Sequence, residues 1–356
     1  MAPKPIPWGV PTRSFLYISS IIHWATSTAY TALSHQHPAR TAMINPLQQY
    51  LISTQYFAPR GKERLIFLGD HISQRHLLYT DRLIGIVGDA GSGKSSLIKG
   101  MFPGLELTND DDVINPRKIL SMREAIALGE IKEASSFHLD IRFLTGFMQM
   151  WEIAEFVKTL LEHKKRVIIE HFNLLRQALG RNADLIVGIG EEIIVARPTM
   201  FGPLPESIYD IVHESLKYRK MAHTAEEITR YILEDNYGIY PDSYYFSDIR
   251  NGFVLKFYNH EEFDIQELED SVKEVIDQHQ PVAYYDEEHI TIGKRIVECG
   301  GPRLQVTNTR DILNFAFVKE LMHDKDSKTY CLIGIVDKNC ENIENRNTQY
   351  FLTREL

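Results

Sequence analysis

The 356-residue chain has no apolar run long enough to span a bilayer, and only three cysteines, Cys299, Cys331 and Cys340. The first lack argues against a membrane partner. The second rules out a disulfide framework and suits a reducing, cytoplasmic setting. Excess basic charge is lacking too. The 39 Lys and Arg stand against 48 Asp and Glu, a net charge of −9, which excludes nucleic-acid binding through bulk electrostatics and confines any RNA contact to a local groove. No repeat at a period of roughly 20 to 50 residues is visible. Acid is missing altogether from residues 1–60, which hold four Lys or Arg and an apolar patch at 15–30. Ser, Thr and His interrupt that patch, so a poorly ordered extension is expected there rather than a targeting segment. Met43 is an alternative start, and MINPLQQYLISTQYF reads as the first amphipathic helix.

What is present is an ordinary globular composition, 44% hydrophobic, over a length that allows two cores. The most informative stretch is RLIGIVGDAGSGKSSLIKG at 82–100. An apolar strand at 83–87 runs into Gly88, Asp89, Ala90, Gly91, Ser92, Gly93, Lys94, Ser95 and Ser96, with a helix over 95–102 ended by Pro103 and Gly104. Gly88, Gly91 and Gly93 let successive N–H groups converge on one phosphate. Lys94 adds countercharge, and Ser95 at the helix start places its hydroxyl for Mg²⁺. The spacing fits the P-loop pattern of nucleotide-binding proteins, and this resemblance implies ATP or another NTP with Mg²⁺ as cofactor.

The residues that follow read as alternating strands and helices. A strand over 136–143 carries Asp140, a helix covers 147–163, and Val167, Ile168 and Ile169 end in Glu170 like a buried parallel strand with an acid at its carboxyl end, where open α/β sheets place ligands. Glu170 and Asp140 compete for the role of holding metal or polarising a nucleophile, beside Lys94 as a catalytic group. Asp110, Asp111 and Asp112 form an acidic cluster of substrate-binding or solvated character. Glu191, Glu192 and Arg197 are weaker candidates. The expected fold is an α/β P-loop domain over 64–205, a mainly parallel sheet covered by helices.

FGPLP at 201–205 marks a break. A long helix over 206–234 follows, then β-patterned runs at 252–258, 283–285, 289–292 and 295–299. Across 218–320 the texts MAHTAEEITRYIL, SDIRNGFVLKFYN and CGGPRLQVTNTRDILNF occur in an order that resembles the editing region, or second additional domain, of alanyl-tRNA synthetase and of stand-alone proteins that hydrolyse mischarged tRNA. CGG, Val306, Thr309, Ile312 and Phe315 are in register with the family's CGGTH-V-x-x-TG-x-I-x-x-F. The chain is similar to bacterial proteins that join a P-loop domain to such a domain. The resemblance implies a smaller α+β domain over 206–325, with a C-terminal strand or tail over 326–356.

The family binds zinc through two His at i and i+4 and a later Cys and His. By resemblance, His223 and Cys299 fill two of these places, Glu227 replaces the second His, and Arg303 stands for the last, which a guanidinium cannot fill as a ligand. Three readings stay open: a rebuilt Zn²⁺ site of His223, Glu227, Cys299 and Asp248; a metal-free pocket in which Arg303 pairs with Glu227; and a motif kept only as core. His289 has no His or Cys at ligand spacing. Tyr244, Tyr245 and Phe246 read as a base-stacking set or as strand packing. The functions expected are an ATP-dependent kinase-like or NTPase enzyme whose C-terminal domain recognises substrate, a metal-dependent trans-editing hydrolase, or a nucleotide-controlled binding module. The partners expected are nucleotide and tRNA or an amino-acid-like small molecule.

Overall fold

Five apolar residues in succession, LIGIV, form β2 (Leu83–Val87), every one of them buried, as the middle of a helix-covered sheet requires. The computed structural model describes residues 53–105, 107 and 136–336. Asp110, Asp111, Asp112, the patch at 15–30 and residues 337–356 lie outside the described residues. All the described residues fall in one compact unit.

β2 pairs in parallel with β4 (Arg166–Glu170) and β5 (Leu185–Ile189), and β4 with β3 (Ser136–Asp140). The chain then reverses: β6 (Glu192–Ala196) is antiparallel to β5, and β1 (Thr54–Phe57) antiparallel to β6. The six-stranded order is β1-β6-β5-β2-β4-β3, so the sheet is mixed rather than the mainly parallel one expected. The reason is local: Gly190 and Glu191 turn β5 straight back into β6, leaving no length for a parallel crossover. Residues 54–57, expected within a helix and an extension, are instead the edge strand. The strand expected over 136–143 stops at Asp140, whose carboxylate accepts from the Phe143 N–H at 3.2 Å and caps a short helix, Ile141–Leu144.

One face of the sheet packs α1 (Lys62–His76) and α2 (Lys94–Met101) through Leu65, Ile72, Leu97 and Ile98. The other packs α4 (Met150–Glu162) and α5 (Phe172–Leu179) through Ile153, Val157, Phe172 and Leu175, where Ile141–Leu144 counts as α3. α6 (Pro205–Tyr237) starts at the predicted break, with Pro at its first turn. Its beginning, Ile208 and Val212, belongs to the core of the six-stranded sheet. Its end, Ala225, Ile228 and Ile232, belongs to the next core. That core also takes α7 (Ile265–Asp277) and a sheet of β7 (Tyr244–Ile249), β8 (Gly252–Phe257), β12 (Ala316–Phe317) and β14 (Thr329–Ile335), with β13 (Met322–Asp324) on β14. A second, three-stranded sheet holds β9 (Val282–Tyr284), β10 (His289–Ile292) and β11 (Arg295–Glu298). Residues 326–336, expected as a C-terminal strand or tail, contain β14, which pairs with β8 in the interior.

Buried charge ties these parts together. Arg60, just past β1, donates to Glu226 Oε2 at 3.1 Å and to the Gly252 carbonyl at 3.1 Å. Arg219 on α6 donates to the carbonyls of Ser92 (2.9 Å), Gly190 (3.1 Å) and Pro59 (2.5 Å). One guanidinium therefore fixes three turns, and its burial lowers its pKa to about 9.

Candidate functional site

The glycine-rich turn lies at the carboxyl end of β2 and opens α2. Gly88, Gly91 and Gly93 take φ of 147°, 77° and 98°, values that side chains with a Cβ rarely adopt. Gly93 is the N-cap of α2, with no side chain satisfying the first amides. Those N–H groups and the positive end of the helix are what an anion would meet. Ser92 Oγ is buried and has no partner among the described residues.

Lys94 is buried and donates to the Asp89 carbonyl at 2.7 Å, with Glu170 Oε2 at 3.8 Å. Burial lowers its pKa, and the charges of Glu170 and Asp140 oppose that. Ser95 Oγ donates to Glu170 Oε1 at 3.1 Å, and His138 Nε2 lies 3.3 Å from the same oxygen. Burial alone would raise the Glu170 pKa; the His138 hydrogen bond and the Lys94 charge reverse this and hold it below the usual range. Asp140 and Glu170 face each other in the register of β3 and β4, so both acidic candidates stand at one place. Glu170 is the one that reaches Ser95 and Lys94. With His171 they form a buried set whose ligand atoms lie within 4.8 Å of one another. Sequence reasoning missed His138 and His171; the HLD and EHF texts flanking the two acids were the available signal. On the open side, Asp89 accepts from Tyr209 at 2.8 Å and pairs with His213 Nδ1 at 2.7 Å.

The second constellation also converges. His223, Glu227 and Cys299 are buried with ligand atoms within 4.8 Å. His223 Nε2 is 3.6 Å from Cys299 Sγ and 3.3 Å from Glu227 Oε1, while Nδ1 faces the Leu304 carbonyl at 3.1 Å. Burial alone would lower the His223 pKa; Cys299 and then Glu227 outweigh it and raise the value to about 10. The pairing of Arg303 with Glu227, one of the three readings left open, is not what forms. Arg230, one turn along α6, holds Glu227 Oε2 at 2.5 Å, because i and i+3 are neighbours on a helix. Arg303 lies over the Tyr284 ring at 5.1 Å. Gln305 takes the remaining side of the cluster, its Nε2 3.2 Å from Cys299 Sγ and its Oε1 accepting from Thr224 at 2.7 Å. Counting back from Val306 reaches Gln305; counting forward from Cys299 reaches Arg303. Asp248 does not join the set: it pairs with Arg60 at 3.2 Å and Arg64 at 2.9 Å.

The two constellations share a wall. Residues 300–304, which follow Cys299, lie over the glycine-rich turn, and between them is a cavity of 300 Å³ lined by Arg60, Lys62, Lys94, Lys99, Arg219 and Arg303 against the single acid Glu287. The excess of positive side chains around an open helix N-terminus suits a polyanion. Glu191 accepts from the Asn251 N–H and joins the β5–β6 turn to the β7–β8 turn. Arg197 pairs with Asp81 at 2.6 Å, away from the site, and Glu192 begins β6. Tyr244 is buried with edge contacts to Phe246 and Phe257, and Tyr245 lies beside Tyr258, so strand packing accounts for that cluster. His289 pairs with Asp286 at 2.8 Å.

No protein-family model matches the chain, and no curated protein matches it. Among solved structures, the ornithine aminotransferase from Toxoplasma gondii ME49 is similar at a TM-score of 0.21 and 12% identity, covering 74% of this chain and 71% of that one. A second structure of the Toxoplasma gondii enzyme, crystallised in the presence of oxidised glutathione, gives 0.21 and 12% over 73% and 69%. Likeness at that level carries no argument. Among the described residues, no helix is long and apolar enough to cross a membrane.

Proposed function

We propose that the chain is a cytoplasmic P-loop protein that binds ATP or another purine nucleoside triphosphate with Mg²⁺, working as a kinase-like enzyme or an NTPase, with the residues from 206 onward recognising the substrate. The observation that carries this reading is the meeting of Lys94 and Ser95 with Glu170, at the carboxyl ends of β2 and β4. The fit is specific. Three glycines with positive φ free the backbone amides, Ser92 Oγ is a buried hydroxyl in need of a partner, and a basic cavity adjoins the turn.

In this reading the amides of the turn and α2 bind the β-phosphate, and Lys94 leaves the Asp89 carbonyl for the β/γ-oxygens. Ser95 Oγ and Glu170 would hold Mg²⁺, which when bound neutralises charge on the transferred group. Asp140, next to Glu170 in register, is the carboxylate that can accept a proton from the attacking hydroxyl or water. Titration calorimetry with ATP and Mg²⁺ tests it. Wild type should give heat, and Lys94→Ala should bind at least about tenfold more weakly, because a hydrogen bond from a charged donor contributes roughly 1.5–3 kcal/mol. No heat with either ATP or GTP would overturn the proposal.

A second reading rests on the convergence of His223, Glu227 and Cys299: a zinc-dependent hydrolase of mischarged aminoacyl-tRNA, with nucleotide governing access. Thiolate, imidazole and carboxylate are a suitable donor set, and the Leu304 carbonyl facing Nδ1 fixes the ring as a metal ligand needs. Gln305 supplies no strong fourth ligand. Metal analysis of the purified protein should find one zinc per chain, lost in Cys299→Ala; wild type without zinc removes this reading.

A further inference from the structure

We propose that Asp140, Glu170 and His171 form a mixed nitrogen and oxygen site for a divalent transition-metal ion of the Mn²⁺, Co²⁺ and Zn²⁺ class. The site rests on the nucleotide reading only in sharing Glu170 with the Mg²⁺ position there; it is a second cation position, in which Asp140 ligates the ion instead of accepting a proton, and its residues would bind the ion with no nucleotide present.

The three side chains stand at the carboxyl ends of two neighbouring parallel strands, with Asp140 directly opposite Glu170. Their ligand atoms lie within 4.8 Å of one another, a separation one ion can bridge after small rotations. Two carboxylates alone would mark no more than an acidic corner. His171 is what changes the chemistry. It is 3% exposed, and its Nδ1 has no hydrogen-bond partner among the described residues, a state that buried polar nitrogens rarely hold without a reason. Its backbone sits at φ 59° and ψ 39°, in the left-handed region where Gly or Asn would be less strained. Strain and an unsatisfied nitrogen fall on one residue, immediately after Glu170, and that coincidence points to a ligand.

An imidazole nitrogen among carboxylates favours borderline metals over Mg²⁺, which demands oxygen and gives up water reluctantly. Lys94, 3.8 Å from Glu170 Oε2, competes with the ion for that carboxylate. A polyphosphate that draws Lys94 away would strengthen metal binding.

The experiment uses the full chain carrying Cys299→Ser, so that the thiol cluster does not compete, and Mn²⁺ as the probe. Titration followed by electron paramagnetic resonance should show one Mn²⁺ bound per chain with nitrogen hyperfine coupling from an imidazole. His171→Ala should remove the coupling and weaken Mn²⁺ by at least about tenfold, since even outer-shell partners of metal ligands are worth 10 to 100-fold in affinity. Asp140→Asn should weaken Mn²⁺ while keeping the coupling, which covers the case in which His171→Ala fails to fold. Lys94→Ala should keep Mn²⁺ while losing ATP, and failure of the nucleotide reading alone would show as a wild-type chain that binds Mn²⁺ but gives no heat with ATP or GTP. Absence of Mn²⁺ binding, binding without nitrogen coupling, or affinity unchanged in a folded His171→Ala would each overturn the proposal.

Discussion

The carbonyl oxygen of Arg303 lies 2.9 Å from the point where a Cβ on Gly91 would stand. The glycine-rich turn and the 300–304 segment therefore touch with only a hydrogen between them. Gly91→Ala would introduce that Cβ against backbone and force a side chain into φ 77°. The expected outcome is a loss of about 1–3 kcal/mol in stability together with nucleotide binding weakened at least about tenfold, read by urea unfolding and calorimetry. A variant as stable as wild type with unchanged affinity would mean that the turn and the segment separate freely in solution.

Arg219 makes a related prediction from the opposite side of the turn. It is buried, and its three carbonyl partners come from the β1–α1 loop, the glycine-rich turn and the β5–β6 turn. Arg219→Met removes the donor and leaves two buried acceptors, the Ser92 and Gly190 carbonyls, unmatched at roughly 1–3 kcal/mol each, with the half-buried Pro59 carbonyl beside them. We expect at least about 3 kcal/mol of destabilisation, seen as a lower urea midpoint. Arg219→Lys should recover only part of it, because an ammonium lacks the planar fork that spans these acceptors. Full recovery by lysine would show that charge rather than geometry holds the turns.

Glu191 supplies a pH test. Burial raises its pKa to about 7, against a lowering by the Asn251 N–H it accepts. With an unperturbed value of 4.5, the folded chain holds this proton more tightly than the unfolded one. The contribution to stability is therefore complete below about pH 4.5 and is lost as the pH rises through 7, an effect of up to about 3 kcal/mol. Glu191→Gln keeps a neutral acceptor for Asn251 and should flatten the urea midpoint across this window, leaving the variant more stable than wild type above pH 7. Parallel profiles for the two proteins would contradict the assignment.

Several of these residues explain what was legible in the sequence. The strand before Gly88, the acid ending β4 and the start of α6 were all readable, because each is fixed by local pattern: a five-residue apolar run, a carboxyl-end position, and Pro after a Gly/Pro break. The reversal into β6 was not, since VGIGEEIIVA reads equally as two strands of either sense, and the direction is set by a two-residue turn. α1 had its signal in Leu65, Gly69 and Ile72 at helical spacing, although residues 54–57 just before it read as helix and form strand. The EHF text put His171 beside the acid, but its left-handed backbone was beyond reach, since that conformation at a non-glycine residue is imposed by surroundings far away in sequence. Gln305 rather than Arg303 stands at the cluster, and this corrects the register expected from the resemblance: Cys299 and Val306 are two residues further apart in this chain than in the pattern it resembles, so counting from Cys299 and counting from Val306 reach different residues.

That register shift carries a final prediction about charge. Glu227 is buried between His223 and Arg230, and the Arg230 guanidinium also lies over the Phe246 ring at 5.1 Å. Arg230→Met would strand a buried carboxylate with one partner, at a cost of about 3–5 kcal/mol, the usual result of breaking such a pair from one side. Removing both charges, in Arg230→Met with Glu227→Gln, should cost less than the two single changes summed, with a coupling of roughly 1–3 kcal/mol. The same cycle between Glu227 and Arg303 should give a coupling near zero, since Arg303 reaches Tyr284 instead. Unfolding midpoints for the two cycles, measured side by side, decide the matter. A strong Glu227–Arg303 coupling with none to Arg230 would reverse the assignment and return Arg303 to the cluster.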